Sequence, residues 1–334
     1  MSTHSKVSGP SRRHVVQGGL ALASAPFLVA GAQAQDANYP SREVRAICGF
    51  AAGSGADIFV RYFTEKMQPF LGGTIIIENR VGAGGNIAVA HVARSKPDGY
   101  TILVNSPSSI AAAMSLYKDP GYDAEAAFDV LGSVCLLPSA VSVAPDSPHK
   151  TLPDLIKVLR EKGDKASYGV IAPSARVAGA MMKDILKLKV VEVPYRTAAD
   201  SVNDLQSGVV DFMVYDPIFA IPRHRNGKLR VLALSAKERM TTAPDLPTMH
   251  ESGVPGVNVV AWWGLSVPKG LPPAIREKLS KAFLQMASLP STKAWLAEYG
   301  CDSFVIGPEE GQKRMIQDVQ DWRGYVKLAN IPTN

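Results

Sequence analysis

The segment Ala51-Ala52-Gly53-Ser54-Gly55-Ala56-Asp57 joins an apolar run, Val44–Phe50, to an amphipathic stretch. Small side chains there leave backbone N–H groups bare at the point where a helix begins. Such a start has orphan donors and partial positive charge, so the chemistry it offers is anion capture. Ser54 and Asp57 also have the spacing of a capping box, and the two roles are compatible. A second cluster, Ser106-Pro107-Ser108-Ser109, follows the apolar run Thr101–Asn105. Two readings stand for it, a hydroxyl-bearing ligand crevice and a serine cap for the next helix. Asp216-Pro217 closes the run Val209–Tyr215. Its carboxylate suits a ligand hydroxyl or ammonium, and equally the cap of the helix after Pro217.

Covalent and metal chemistry find little support. A nucleophile elbow needs Gly-x-Ser-x-Gly, and around Ser54 both glycines are misplaced. Beyond residue 34 the histidines are His91, His149, His224 and His250, and none has a second histidine at i+3 or i+4. No metal site and no cofactor are expected. Gly82-Ala83-Gly84-Gly85-Asn86 has part of a dinucleotide fingerprint but lacks its last glycine, so a tight turn with Asn86 as helix cap fits better.

Short apolar runs alternate with amphipathic stretches, which predicts a mostly parallel sheet with helices on both faces. Strands are expected at Val44–Phe50, Thr74–Glu78, Thr101–Asn105, Val209–Val214 and Leu229–Leu234, with helices at Asp57–Phe70, Asn86–Arg94 and Ala198–Gln206. Thr151-Leu152-Pro153-Asp154 is a capping box, and Gly208 a left-handed helix stop. Ile275, Leu279, Ala282, Phe283 and Met286 mark one buried helix face, and Met315, Val319, Trp322 and Val326 another. Composition shifts at Leu136-Leu137-Pro138 and at Trp262-Trp263-Gly264, as two strands crossing between lobes would produce.

The first 34 residues read as an export signal: Arg12-Arg13, a short apolar run and the small-x-small site Ala32-Gln33-Ala34. The run is too short to span a bilayer. Twin-arginine and general secretory routes both fit, although Val15-Val16 replaces the usual Phe-Leu of the former. Cleavage near Ala34 removes Lys6, Arg12 and Arg13 and no acid, so the formal charge falls from +6 to +3 and 300 residues remain. No basic patch with interleaved aromatics suggests nucleic acid. Three cysteines, Cys48, Cys135 and Cys301, leave at least one thiol unpaired.

Several motifs in order resemble one family: Tyr39-Pro40-Ser41-Arg42, the loop Phe50–Asp57, Glu78-Asn79-Arg80-Val81-Gly82-Ala83-Gly84-Gly85-Asn86, Lys96-Pro97-Asp98-Gly99-Tyr100-Thr101, Val193-Pro194-Tyr195-Arg196 and Asp245-Leu246-Pro247-Thr248. Together with the final Trp322 stretch they are similar to the Bug-type solute receptors of tripartite tricarboxylate transporters. The resemblance implies an α/β fold of the type II periplasmic-binding kind, with two lobes joined by two crossing strands. The expected division is a signal at 1–34, one lobe from 35–140 plus 261–334, and a second from 141–260. It further implies a monomeric periplasmic receptor, not an enzyme. Such a receptor takes a small carboxylate (dicarboxylate, acidic amino acid or aromatic acid) to membrane transporter subunits. A ligand-sensing receptor without transport and an exported serine hydrolase are the alternatives.

In that family two facing loops hold the carboxylate, and by position they are Ala51–Asp57 and Gly169–Arg176. This chain departs from the pattern: Ala52 and Ser54 replace a proline and a glycine, and the second loop is shorter, with Arg176 near the usual histidine. Arg176 then either grips the ligand or faces solvent. The expected ligand-binding set is Phe50, Ala51, Ala52, Gly53, Ser54, Gly55, Ala56, Asp57, Ser106, Ser108, Ala172, Ser174, Arg176, Tyr195, Asp216 and Phe219, with Tyr168 also at the cleft border.

Overall fold

A computed structural model describes residues 38–195, 198–328 and 331–333. The expected signal and its cleavage point lie outside them. All the architecture below belongs to the compact unit Tyr39–Asn334.

Ten strands form two five-stranded sheets. The first contains β1 (Val44–Cys48), β2 (Ile75–Asn79), β3 (Thr101–Asn105), β4 (Phe128–Pro138) and β10 (Val260–Pro268), in the order β2-β1-β3-β10-β4. The second contains β5 (Ala140–Val143), β6 (Ser167–Val170), β7 (Val191–Pro194), β8 (Phe212–Tyr215) and β9 (Arg230–Leu234), in the order β7-β6-β8-β5-β9. In each sheet three neighbouring strands are parallel, and the fourth lies antiparallel to both its neighbours. That reversed strand, β10 or β5, is the one arriving from the other sheet. Parallel neighbours need helical crossovers, whereas an incoming strand is free to run either way. The molecule therefore has the two-lobed fold of periplasmic binding proteins, with β4–β5 and the approach to β10 as its crossings.

The helices are α1 (Gly55–Leu71), α2 (Asn86–Ala93), α3 (Pro107–Leu116), the short α4 (Ala124–Ala127), α5 (Leu152–Lys162), α6 (Pro173–Ile185), α7 (Ala198–Gln206), α8 (Pro217–Arg225), α9 (Pro273–Ser288), α10 (Pro290–Glu298) and α11 (Pro308–Leu328). Local chemistry sets their ends. Ser54 Oγ accepts the Asp57 N–H to start α1, and Gly72, at φ 74°, stops it in the left-handed region that glycine enters without strain. Thr151 and Asp154 form the expected reciprocal box at α5. The buried face of α1, with Phe59, Phe63 and Met67, meets Trp263 of β10 and Trp295 of α10 in one aromatic cluster. The expected faces of α9 and α11 are buried throughout.

Two strands begin or end where the sequence does not announce it. β1 stops at Cys48, two residues short of expectation, because the chain turns at Gly49, where a side-chain carbon would lie 2.8 Å from Gly85 Cα. β8 starts at Phe212 rather than Val209, because the N–H groups of Val209 and Val210 both bond the Asp204 carbonyl at the end of α7.

Candidate functional site

Strand order locates the site. The chain leaves β1 through α1 to β2 on one side, then returns through α2 to β3 on the other. The second sheet repeats this with β6 between β7 and β8. A crevice opens at the carboxyl ends of strands where the winding reverses. Four segments converge on the two reversal points: 49–54 after β1, Ser106 after β3, Ile171-Ala172 after β6 and Asp216 after β8. Each leads into a helix start, of α1, α3, α6 and α8 respectively. Four positive helix ends favour an anion there. The two lobes meet at these ends. A side-chain carbon on Gly55 would lie 3.0 Å from Ile218 Cγ2 and 3.3 Å from Asp216 Oδ1, and one on Gly84 would lie 3.9 Å from Pro173 Cγ.

Asp57 is the hub of the first loop rather than its open face. Its carboxylate accepts the Gly53 N–H at 2.8 Å, Arg61 Nε at 2.7 Å and Asn79 Nδ2 at 2.8 Å. Asn79 also donates to the Phe50 carbonyl at 2.8 Å, so one amide ties both ends of the loop. Burial alone would raise the Asp57 carboxyl, but Arg61, Asn79 and the Gly53 N–H hold it below its ordinary value. The first backbone bond of α1 runs from Ile58 N to Ser54 O, so the N–H groups of Gly55 and Ala56 precede the helical ladder. Ala51, Ser54, Gly55 and Ala56 are partly exposed, and Ala52 and Gly53 are exposed. Phe50 packs its ring against Gly85.

At the end of β3, Asn105 is 8% exposed and Ser106 6%, yet Asn105 Oδ1 and Ser106 Oγ have no hydrogen-bond partner. Buried polar atoms are nearly always paired, so two adjacent orphans at a strand reversal point to a missing partner. Sequence reasoning picked out Ser106 but passed over Asn105, which reads as the last residue of a core strand. Ser108 behaves differently: its hydroxyl donates to Asp318 Oδ2 of α11 at 2.6 Å, beside the Trp262 Nε1 bond to the same oxygen at 2.7 Å.

In the second lobe Ala172 precedes α6 without a side-chain cap, and both it and Ser174 are partly exposed. Arg176 does not simply face solvent. Its Nε donates to Glu192 Oε1 at 2.8 Å, and Glu192 also accepts the Tyr168 hydroxyl at 3.0 Å. Tyr168 itself is 1% exposed and stacked on Phe212, a core position instead of the expected cleft border. Tyr195 donates to Asp204 at 2.6 Å; burial, then this carboxylate, push its hydroxyl up to about 12. Asp216 caps α8 by accepting the Phe219 N–H at 2.9 Å, and burial pushes its carboxyl up. Phe219 lies under the Arg223 guanidinium, 3.6 Å from ring centre to Arg223 Cζ. Arg196 lies outside the described residues. Among those described, no group of three or more His, Cys, Asp or Glu is placed to hold a metal ion.

Residues 59–330 match the family model described as the tripartite tricarboxylate transporter family receptor. The chain belongs to that receptor family. Among curated relatives, the UPF0065 protein in the TAR-I ttuE-ttuC' intergenic region of Agrobacterium vitis is 31% identical over 263 residues, 78% of this chain and 75% of that one. Protein BugT of Bordetella pertussis is 27% identical, covering 86% of this chain and 90% of its own. Among solved structures, the periplasmic binding protein BugD is 32% identical with TM-score 0.82, covering 89% of this chain and 100% of that one. Rpa4515 of R. palustris, solved with adipate, is 27% identical with TM-score 0.83 over 89% of this chain and 100% of its own. MatC of Rhodopseudomonas palustris, solved with malate, is 28% identical with TM-score 0.78 over 86% and 100%. The chain is thus a solute-binding receptor of the Bug type.

Proposed function

We propose that this receptor captures a small carboxylate between its two lobes and presents it to the membrane subunits of a tripartite tricarboxylate-type transporter. It acts in the periplasm as a monomer, after removal of a signal near Ala34. The observation that carries the reading is the buried, unpartnered hydroxyl of Ser106 at a crevice ringed by helix starts. The carboxylate takes the N–H groups at the start of α1, with Ala51–Ala56 as its cradle and the Ser106 hydroxyl donating from beneath, while Asn105 Oδ1 accepts from a ligand hydroxyl or a water. The second lobe contributes Ala172, Ser174, the terminal amines of Arg176, and the rim of Tyr195, Asp216 and Phe219. Residues 35–140 plus 261–334 then form one lobe and 141–260 the other. The adipate and malate seen in two relatives fit a site of this polarity.

Energetics explain why both lobes are required. One helix start contributes about 0.3–2 kcal/mol, whereas micromolar binding needs about 8 kcal/mol. Hydrogen bonds to a charged group contribute roughly 1.5–3 kcal/mol each, so several must form together. Closure supplies them, and ligand shifts the population toward the closed form. The test is a thermal-shift screen of the mature chain against adipate, malate, aromatic acids and neutral amides, followed by calorimetry. A carboxylate should raise the melting temperature by mass action. Stabilisation by amides alone, or by none of these at millimolar concentration, would overturn the reading.

A further inference from the structure

Helical spacing places Arg314, Asp318, Asp321 and Tyr325 on one face of α11. That face lines a half-open groove of about 630 Å³, walled on its other side by Phe304 and by residues 259–261 on the approach to β10. The groove shares no residue with the carboxylate site proposed above. Arg314 sets it apart. Its Nε is buried without a hydrogen-bond partner, and its guanidinium lies over the Phe304 ring, 5.3 Å from the ring centre. Buried polar atoms are nearly always paired. Among the described residues the ion pair on α11 is Lys313 with Glu309, at 2.8 Å, and Arg314 enters none. Asp318, one turn on and 8% exposed, gives Oδ2 to Ser108 and Trp262 and leaves Oδ1 unused. Asp321 accepts the Gln317 amide through Oδ1 at 3.0 Å. Burial raises the Asp318 carboxyl while Ser108, Trp262 and Arg314 pull the other way, so Arg314 acts on it from nearby without closing a pair.

Charge decides what such a groove accepts. An anion drawn to Arg314 also meets Glu310, Asp318 and Asp321, and a bare cation meets Arg314. A molecule carrying both signs satisfies all of them. Four and seven residues of helix separate Arg314 from the two aspartates, about 6 and 10 Å along the axis, which spans one ligand carboxylate and one ammonium. We infer that the groove is a second binding site, for a small zwitterion such as a free α-amino acid. Arg314 grips the ligand carboxylate with its terminal amines, and Asp318 Oδ1 and Asp321 take the ammonium. An apolar side chain then lies on the rings of Phe304 and Tyr325. Tyr325 donates to the Asn258 carbonyl at 3.3 Å, and the next residue, Val259, is bonded through both its N–H and its carbonyl to Ser235. The occupant therefore sits between α11 and a strand that passes from one lobe to the other. The inference stands on α11 alone; loss of carboxylate binding in the crevice would leave it untouched.

The test is calorimetry of the mature chain with L-leucine, and with isoamylamine, which has the same branched chain and ammonium but no carboxylate. Leucine should bind at least about 10-fold more tightly than the amine, the share of one charge-assisted contact. Arg314→Gln and Asp321→Asn should each weaken leucine by a similar factor, whereas Ser106→Ala, in the crevice, should leave leucine affinity unchanged. Arg314 makes no ion pair whose loss would unfold the chain, and Asp321→Asn keeps an acceptor for Gln317, so both variants should melt with the wild type. No heat from leucine at about 10 mM, wild-type leucine affinity in both α11 variants, or leucine binding abolished by Ser106→Ala would overturn the inference.

Discussion

Asn105 Oδ1 and Ser106 Oγ differ from the carboxylates of the crevice in having no hydrogen-bond partner. Asp57 is satisfied by Gly53, Arg61 and Asn79, and Asp216 by Phe219 N–H. A group already paired gains little from a ligand, whereas a desolvated orphan gains a full hydrogen bond. Ser106→Ala should therefore weaken carboxylate binding by about 10- to 100-fold, the equivalent of one charge-assisted hydrogen bond from its hydroxyl, whereas Asn105 Oδ1 can only accept, from a ligand hydroxyl or a water. The Ser106 variant should leave the melting temperature of the unliganded protein unchanged or slightly higher, since a buried unsatisfied hydroxyl is removed. Calorimetry beside a thermal melt checks both halves. Unchanged affinity would remove Ser106 from the site, and a large fall in stability would recast it as a structural residue.

At the scale of elements, the parts that were legible in the sequence are those whose determinants are local. Thr101–Asn105 and Ala198–Gln206 have the expected bounds, and the Thr151–Asp154 box forms as its spacing requires. Thr151→Ala should cost about 0.5–2 kcal/mol of stability, read in urea unfolding, and leave ligand affinity alone because α5 stands away from the crevice. What the sequence did not disclose is set by distant partners. The N-terminal part of the Val209–Val214 run is taken by the end of α7. The Ser108 hydroxyl is claimed by Asp318, 210 positions away, and Arg176 by Glu192 on an edge strand. Asn105 looked like core because only packing reveals that its amide has no partner. Asp318 shows how such a link responds to pH. Burial raises its carboxyl against the opposing pull of Ser108, Trp262 and Arg314, with Asp321 adding to the rise, and burial raises Asp216 likewise. A carboxyl raised on folding makes the native state bind more protons than the unfolded chain. Stability then increases as pH falls from above the raised values toward the ordinary carboxyl range, and the gain ends below it. Asp57, held low, acts in the opposite sense and its contribution is lost only as pH falls through its own depressed value. The Asp318→Asn variant keeps an acceptor for Ser108 and Trp262 and should flatten the mildly acidic rise in melting temperature. A rise identical to that of the wild type would show that Asp318 does not contribute to it.

At the scale of the whole molecule, closure depends on how the two crossings are held together. Ser235, 0% exposed, does this directly: its hydroxyl accepts the Ser139 N–H and donates to the Val259 carbonyl, both at 2.7 Å. Ser139 joins β4 to β5, and Val259 precedes β10, so one side chain bridges both passages between the lobes. Its backbone repeats the link, donating to Ser139 O at 2.8 Å and accepting from Val259 N at 2.9 Å. A hinge built this way bends as a unit, since neither crossing moves without the other. Ser235→Ala removes both side-chain bonds and leaves a buried donor and a buried acceptor, each costing about 1–3 kcal/mol when unpaired. The backbone links remain, so the fold should persist with lower stability. The crossings would then move more independently, spreading the lobes over more orientations. Ligand would have to select the closed state from a broader population, so apparent affinity should fall in proportion to the closed fraction lost. Small-angle scattering should show a larger radius of gyration for the unliganded variant than for the wild type, converging on one value when ligand is saturating. If scattering from the two unliganded proteins coincides while stability falls, Ser235 holds the core together without governing the motion, and the hinge must be sought where Asp302 accepts the N–H groups of Thr241 and Thr242 and Arg225 donates to the carbonyls of Ala297 and Glu298.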